Sequence, residues 1–126
     1  MNSRFRTAIG LAALLLVALV HGPVCAQDSS PSDPAAIERF EKQVRPILIR
    51  HCYNCHSADT KPAGQLRVDD RNGLLIGGDH GAAIVPGDPD ASLLIAAVTH
   101  SHEDIQMPAE GEKLSDEDIV TLRQWI

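Results

Sequence analysis

Cys52-Tyr53-Asn54-Cys55-His56 is the stretch on which the reading of this chain turns. C-x-x-C-H is the spacing of covalent c-type haem attachment. Two thiols separated by two residues can add to the two vinyl groups on one side of a porphyrin, giving two thioethers. The histidine directly after the second cysteine then lies under the iron and supplies an imidazole nitrogen. Two other chemistries use C-x-x-C. A zinc site needs four ligands, and the remainder would have to come from His51, His80, His100 or His102, among which only His100 and His102 form a close pair. A thiol–disulfide redox pair sits at a helix start in a βαβ setting, whereas here the motif follows a helix in an all-α pattern. Haem attachment is the reading that gives every residue of the motif a task.

The chain ahead of the motif supports that chemistry. Arg4 and Arg6 precede an uncharged apolar run from Ala8 to Val20, and Val24-Cys25-Ala26 offers small residues for cleavage. Residues 1–26 therefore read as a secretory signal peptide, too short in its apolar part to span a bilayer. Export suits haem attachment, which takes place outside the cytoplasm, and places the mature chain in the periplasm or beyond. Cleavage removes Arg4, Arg6 and Cys25, leaving nine bases against 17 acids, a net charge of −8. Such a domain repels phosphate backbones, so nucleic acid is not an expected partner, and no membrane span is expected after cleavage. Only Cys52 and Cys55 remain, too close in sequence to staple a fold. The aromatics are Phe40, Tyr53 and Trp125 alone. A domain of this size buries a limited share of its surface, so the core wants additional apolar bulk, which a haem would supply.

Residues 27–36 read as a disordered polar leader and 37–126 as one domain. Asp33-Pro34 is a helix-start pair. Ile37, Phe40, Val44, Ile47 and Leu48 then recur at helical spacing. The pattern predicts an amphipathic helix over 35–50, kinked or shortened by Pro46, which removes the bond back to Lys42. Residues 57–69 read as a loop with a short extended piece at Gln65–Val68. Asp69 or Asp70 is expected to cap a brief helical turn closed by Gly77-Gly78, and Asp88-Pro89 to open the next helix. After a polar loop over 100–113, Ser115-Asp116-Glu117-Asp118 resembles a capping box, with Leu114 stapled onto Ile119. The expected fold is all-α, with about three main helices and long loops. The chain stops on Trp125-Ile126 without a stop signal, and reads as the front of a longer protein.

The mature chain holds one methionine, Met107. A core methionine belongs on a helix's apolar face. Met107 instead lies between Gln106 and Pro108 in an acidic loop, where a thioether makes sense as a ligand to iron. His80, His100 and His102 are its rivals; His51 is expected to point away from the metal.

The runs F-E-K-Q-V-R-P-I-L-I-R-H-C-Y-N-C-H-S, G-G-D-H-G-A-A-I-V-P-G-D-P-D-A-S-L-L-I and M-P-A-E-G-E-K-L-S-D-E-D-I-V-T-L-R-Q-W-I resemble the planctomycete-type cytochrome c domain over about residues 37–126. The resemblance implies a class I cytochrome c-like fold around one covalently bound haem c. It makes Cys52 and Cys55 the thioether positions, His56 the proximal ligand and Met107 the distal one. It also implies that the first and last helices cross near the haem, with Phe40 and Trp125 as the large residues available there. The chain departs from the family at Ala109, where a second proline is usual, which would loosen the ligand loop. Members usually stand at the front of longer exported proteins.

Two functions follow from this site. One is electron transfer, with iron cycling between ferric and ferrous and both axial positions filled, rather than enzymatic catalysis. The other is a haem module that feeds electrons to, or senses gas or redox state for, an attached extracytoplasmic enzyme. Glu103, Asp104, Glu110 and Glu112 flank the proposed distal ligand and have no helix to cap, while Arg39, Lys42, Arg45 and Arg50 lie on the first helix. The redox partner is therefore expected to dock with a basic surface.

Overall fold

A computed structural model describes residues 33–126. The signal segment and residues 27–32 of the leader lie outside the described residues. Asp33 caps the first helix, its Oδ1 accepting from the Ala35 amide at 3.0 Å, and Pro34 takes the first helical position. Pro34–Ala36, assigned from sequence to the leader, form the first turn of that helix.

Four consecutive segments then make one long, irregular helical arm. Helix α1 (Pro34–Arg39) runs into a π-helical turn (Phe40–Val44), α2 (Arg45–His51) and α3 (Tyr53–His56). Pro46 explains the widened turn. Its ring removes one amide and crowds the preceding turn. The Arg45 amide reaches back five residues to the Phe40 carbonyl instead of four, a local widening that takes up the mismatch. Where a kink or a split-off last turn was expected at Pro46, a π turn precedes the proline and the helix continues to His51. Val44, Ile47 and Leu48 are buried on one face. Glu38–Lys42 and Glu41–Arg45 pair one turn apart on the solvent side.

A 3₁₀ turn (Ala63–Gln65) and an extended piece lead to α4 (Arg71–Ile76). Asp70 caps α4 by accepting from the amides of Asn72 at 2.9 Å and Gly73 at 3.2 Å. Gly77 ends it with φ 78°, a left-handed value that suits glycine. Helix α5 (Leu93–Val98) does not begin at Asp88-Pro89 as expected. Asp88 instead closes a turn by accepting from the Ala91 amide at 3.0 Å. Buried Ser92 sets the helix start, donating to the Asp88 carbonyl at 2.8 Å and accepting from the Val85 amide at 2.9 Å. Helix α6 (Asp116–Trp125) starts as its sequence predicts: the Ser115 hydroxyl accepts from the Asp118 amide at 3.1 Å, and Leu114 and Ile119 are both buried. The Asp118 carboxylate does not complete the box. It faces Arg50 at 3.9 Å and His51 at 3.7 Å on α2.

Among the described residues there is no strand, only one isolated bridge between Gly78 and Gly81. The described residues form an all-α fold. Leu48, Leu74, Val98 and Leu122 bring α2, α4, α5 and α6 into one core. The first and last helical segments meet through Phe40 and Trp125, whose ring centroids stand 5.4 Å apart at a 39° tilt. Such a pair stabilises by about 0.5–1.5 kcal/mol beyond its burial. The Arg45 guanidinium lies over the Phe40 ring, 5.1 Å from its centroid.

Candidate functional site

The motif occupies the end of the helical arm. The Cys52 amide bonds the Leu48 carbonyl, and the amides of Cys55 and His56 both return to the Cys52 carbonyl. That turn sets Cys52 and Cys55 on one side of α3, three residues apart. Neither cysteine is bridged. Cys52 is half-buried while Cys55 is exposed. Burial, with a smaller contribution from Cys55, pushes the Cys52 thiol up to about 11. It is therefore protonated at neutral pH, the reverse of the depressed thiols that drive disulfide exchange. Among the described residues no three His, Cys, Asp or Glu side chains cluster in a way that would hold a metal ion, so the zinc alternative finds no remaining ligands.

His56 is buried, with 9% of its surface exposed. Its Nδ1 lies 3.3 Å from the Leu66 carbonyl. A carbonyl only accepts, so Nδ1 carries the proton and the Nε2 lone pair is left for another use. No described residue bonds Nε2. The same loop returns a second bond, from the Val68 amide to the His56 carbonyl at 2.9 Å. Asp69 closes the loop further by accepting from the Ala58 amide at 2.9 Å and from Arg67. The Arg67 guanidinium foremost, then the Ala58 amide, hold the Asp69 carboxyl below the usual carboxylate range.

Met107 lies in the long loop after α5, half-buried and packed against the main core. Its amide donates to the Ala97 carbonyl at 3.0 Å, and its carbonyl accepts from His100 Nε2 at 3.1 Å. These two bonds hold the loop at Met107, two residues before Ala109. Of the rival histidines, His100 and His102 make hydrogen bonds within this loop. His102 Nδ1 accepts from the amides of Asp104 and Ile105, each at 3.1 Å. His80 is exposed beside the Gly78–Gly81 bridge. His51 turns toward Asp118 of α6, and its buried Nε2 has no hydrogen-bond partner. The partners that sequence reasoning missed are Leu66, Ala97 and His100. Two of them act through backbone carbonyls, which leave no side-chain signature.

The donor set suits a haem c: two unbridged thiols at C-x-x-C spacing, an imidazole with Nε2 unclaimed, and a thioether held in a tethered loop. A groove of about 410 Å³ beside Phe40 and Trp125 is lined by no residue of the motif and plays no part in this set.

An all-α domain ending its first helical arm in C-x-x-C-H belongs to the c-type cytochrome class. Residues 52–111 match the family model described as Planctomycete cytochrome C, and the chain carries a planctomycete-type cytochrome c domain. The match begins at Cys52 and includes His56 and Met107. No curated protein and no solved structure matches the chain. A cytochrome c family domain suggests haem binding and electron transfer. Among the described residues no helix is long and apolar enough to cross a membrane.

Proposed function

We propose that this domain is an exported one-electron carrier holding one haem c through Cys52 and Cys55, with His56 and Met107 as axial ligands. The observation that carries the reading is His56. Directly after an unbridged C-x-x-C pair, its Nδ1 is committed to the Leu66 carbonyl and its Nε2 has no partner. The haem would supply a ferric–ferrous couple, and a thioether opposite imidazole raises its potential relative to two nitrogen ligands. The chain's own residues do the rest. The Nδ1–H bond fixes the imidazole's tautomer and orientation and strengthens Nε2 as a donor. The Ala97 and His100 tethers hold Met107 in place, keeping the sixth position filled. With both positions taken, the site passes electrons rather than binding substrate.

Residues 1–26 act as the signal peptide in this reading. Expression with c-type maturation should yield a red protein heavier than the 27–126 polypeptide by one haem, which acid–acetone does not extract. A colourless protein, or haem that extracts, overturns the reading.

The partner is a redox protein with a basic docking surface. Glu103, Asp104, Glu110 and Glu112 are exposed on the Met107 loop, and its one base, Lys113, is paired with Asp116. The bases of the first arm are spread differently, with Lys42 and Arg45 paired to neighbouring acids. Charge complementarity acts mainly on encounter rate and is screened over about 8–10 Å at moderate salt. Reduction by a cationic reagent should slow as salt rises, and reduction by an anionic one should speed up. Equal slopes would place this loop away from the electron path.

A further inference from the structure

We propose that Gly78 is a positioning residue for His56: its missing side chain lets residues 64–67 pass close enough to α4 for the Leu66 carbonyl to reach Nδ1. The segment is gripped from both sides. On one side it bonds the motif, through the Leu66 carbonyl to His56 Nδ1 and the Val68 amide to the His56 carbonyl. On the other it lies against the turn after α4. A Cβ at Gly78 would stand 2.1 Å from the Gly64 carbonyl oxygen, 2.9 Å from the Leu66 amide nitrogen and 3.1 Å from the Leu66 Cβ. A Cβ at Gly73 would stand 2.4 Å from the Arg67 carbonyl oxygen. The two nearest atoms at Gly78 belong to the backbone, so any side chain there must push the 64–66 segment itself.

The crossing is also bonded. The Asp79 amide donates to the Gly64 carbonyl at 2.8 Å, and the Gln65 side-chain amide donates to the Asp79 carboxylate. Gly64 and Gln65 both take left-handed backbone, φ 59° and 57°, and turn the chain so that Leu66 faces the motif. At 3.3 Å the bond from His56 to Leu66 is at the long end of the useful range. A shift of a few tenths of an ångström in Leu66 therefore changes it. The consequence for the iron rests on the haem reading above: a weaker Nδ1–H···O bond makes Nε2 a poorer donor, stabilises the ferric state less, and raises the potential.

Gly78→Ala tests this in the exported, haem-loaded protein, with Asp79→Ala as a milder change at the same crossing. Gly87→Ala is the control: its Cβ meets open space, and the substitution costs stability by a different route, the left-handed backbone at φ 80°. Two signals are read in the reduced protein: the exchange rate of the His56 Nδ1 proton by NMR, and the midpoint potential. Gly78→Ala should speed Nδ1 exchange about fivefold, the scale of one weakened hydrogen bond, and shift the potential upward. Asp79→Ala should move both in the same direction by less. Gly87→Ala should lower thermal stability and move neither. The proposal is overturned if Gly78→Ala loses stability as Gly87→Ala does while both signals stay at wild-type values. If Gly78→Ala does not fold, unchanged signals in Asp79→Ala overturn it. Faster Nδ1 exchange in a protein that carries no haem would sustain the positioning role while sinking the haem reading, so the two failures are separable.

Discussion

The loop that follows His56 and the loop that carries Met107 hold their key residues in different ways. The first is sewn to the motif at several points: His56 Nδ1 to Leu66, Val68 to the His56 carbonyl, and Ala58 to Asp69, with Gly73 and Gly78 permitting the approach from behind. The second meets the core at its two ends, through Met107 to Ala97 and Leu114 to Val98, with His100 as a single side-chain tether between α5 and the ligand. Residues 109–113 between those ends are exposed. His56, the proximal donor in the proposed reading, is thus built into the backbone of the fold, while Met107, the proposed distal one, depends on a few bonds that can be removed singly.

The largest expected difference follows from that contrast. His56→Ala should abolish accumulation of the red, haem-loaded protein, since it removes the motif's own ligand. Met107→Ala should still yield red protein. In the oxidised state it should lack the weak near-infrared sulfur-to-iron band, and when reduced it should bind carbon monoxide. Absorption spectra of the two exported variants decide this. A near-infrared band that survives in Met107→Ala would move the distal ligand to another residue, and the asymmetry between the loops would then need a new origin.

A smaller effect tests the tether. His100 takes left-handed backbone, φ 58°, and its Nε2 bonds the Met107 carbonyl. Asparagine tolerates that backbone but is too short to keep the bond. His100→Asn therefore isolates one hydrogen bond worth about 1 kcal/mol. Imidazole should displace Met107 from the iron about fivefold more readily in the variant, measured by spectral titration. If the affinity for imidazole is unchanged, Ala97 and the core contacts alone hold the ligand.

The same contrast governs what could be read from sequence. Caps at Asp33, Asp70 and Ser115 were legible because each acts on amides two or three residues away. The Phe40–Trp125 contact was legible through the family resemblance, which implies that the first and last helices cross, with Phe40 and Trp125 as the large residues available there. Asp88-Pro89 misled because an aspartate that closes a turn looks the same as one that opens a helix; buried Ser92, whose partners lie upstream, decides where α5 begins. The π turn was hidden because Pro46 dictates that a bond be lost but not where the ladder adjusts. Leu66 was beyond reach for a simpler reason. Any residue's carbonyl would serve His56, so the choice is made by the path of the backbone, and only Gly73, Gly77 and Gly78 hint that something passes close by. His100 and His102 drew attention as metal ligands, yet they serve the loop's own hydrogen bonds.

The smallest expected effect is a pH dependence that should appear on one loop and not the other. Asp69 and Asp116 both have carboxyls held below the usual range, by Arg67 and by Lys113 respectively. Their settings differ. Asp69 also accepts the Ala58 amide and joins the two ends of the loop after His56, with a side chain only 17% exposed. Asp116 is 89% exposed, and its pairing with Lys113 spans three residues on the surface; such pairs contribute little. A carboxyl depressed in the folded state favours folding above its unfolded value of about 3.9, and that contribution is lost as pH falls through the folded value. Below about pH 4 the wild type should therefore lose stability partly through Asp69. Asp69→Asn should be less stable at neutral pH, and its melting temperature should fall less steeply below pH 4. Asp116→Asn should run parallel to wild type throughout. Calorimetry from pH 7 to pH 2.5 compares the three slopes. A parallel line for Asp69→Asn would mean that the backbone bonds from Leu66 and Val68 hold the loop unaided; a shallower line for Asp116→Asn would shift the acid-sensitive contact to the base of the Met107 loop.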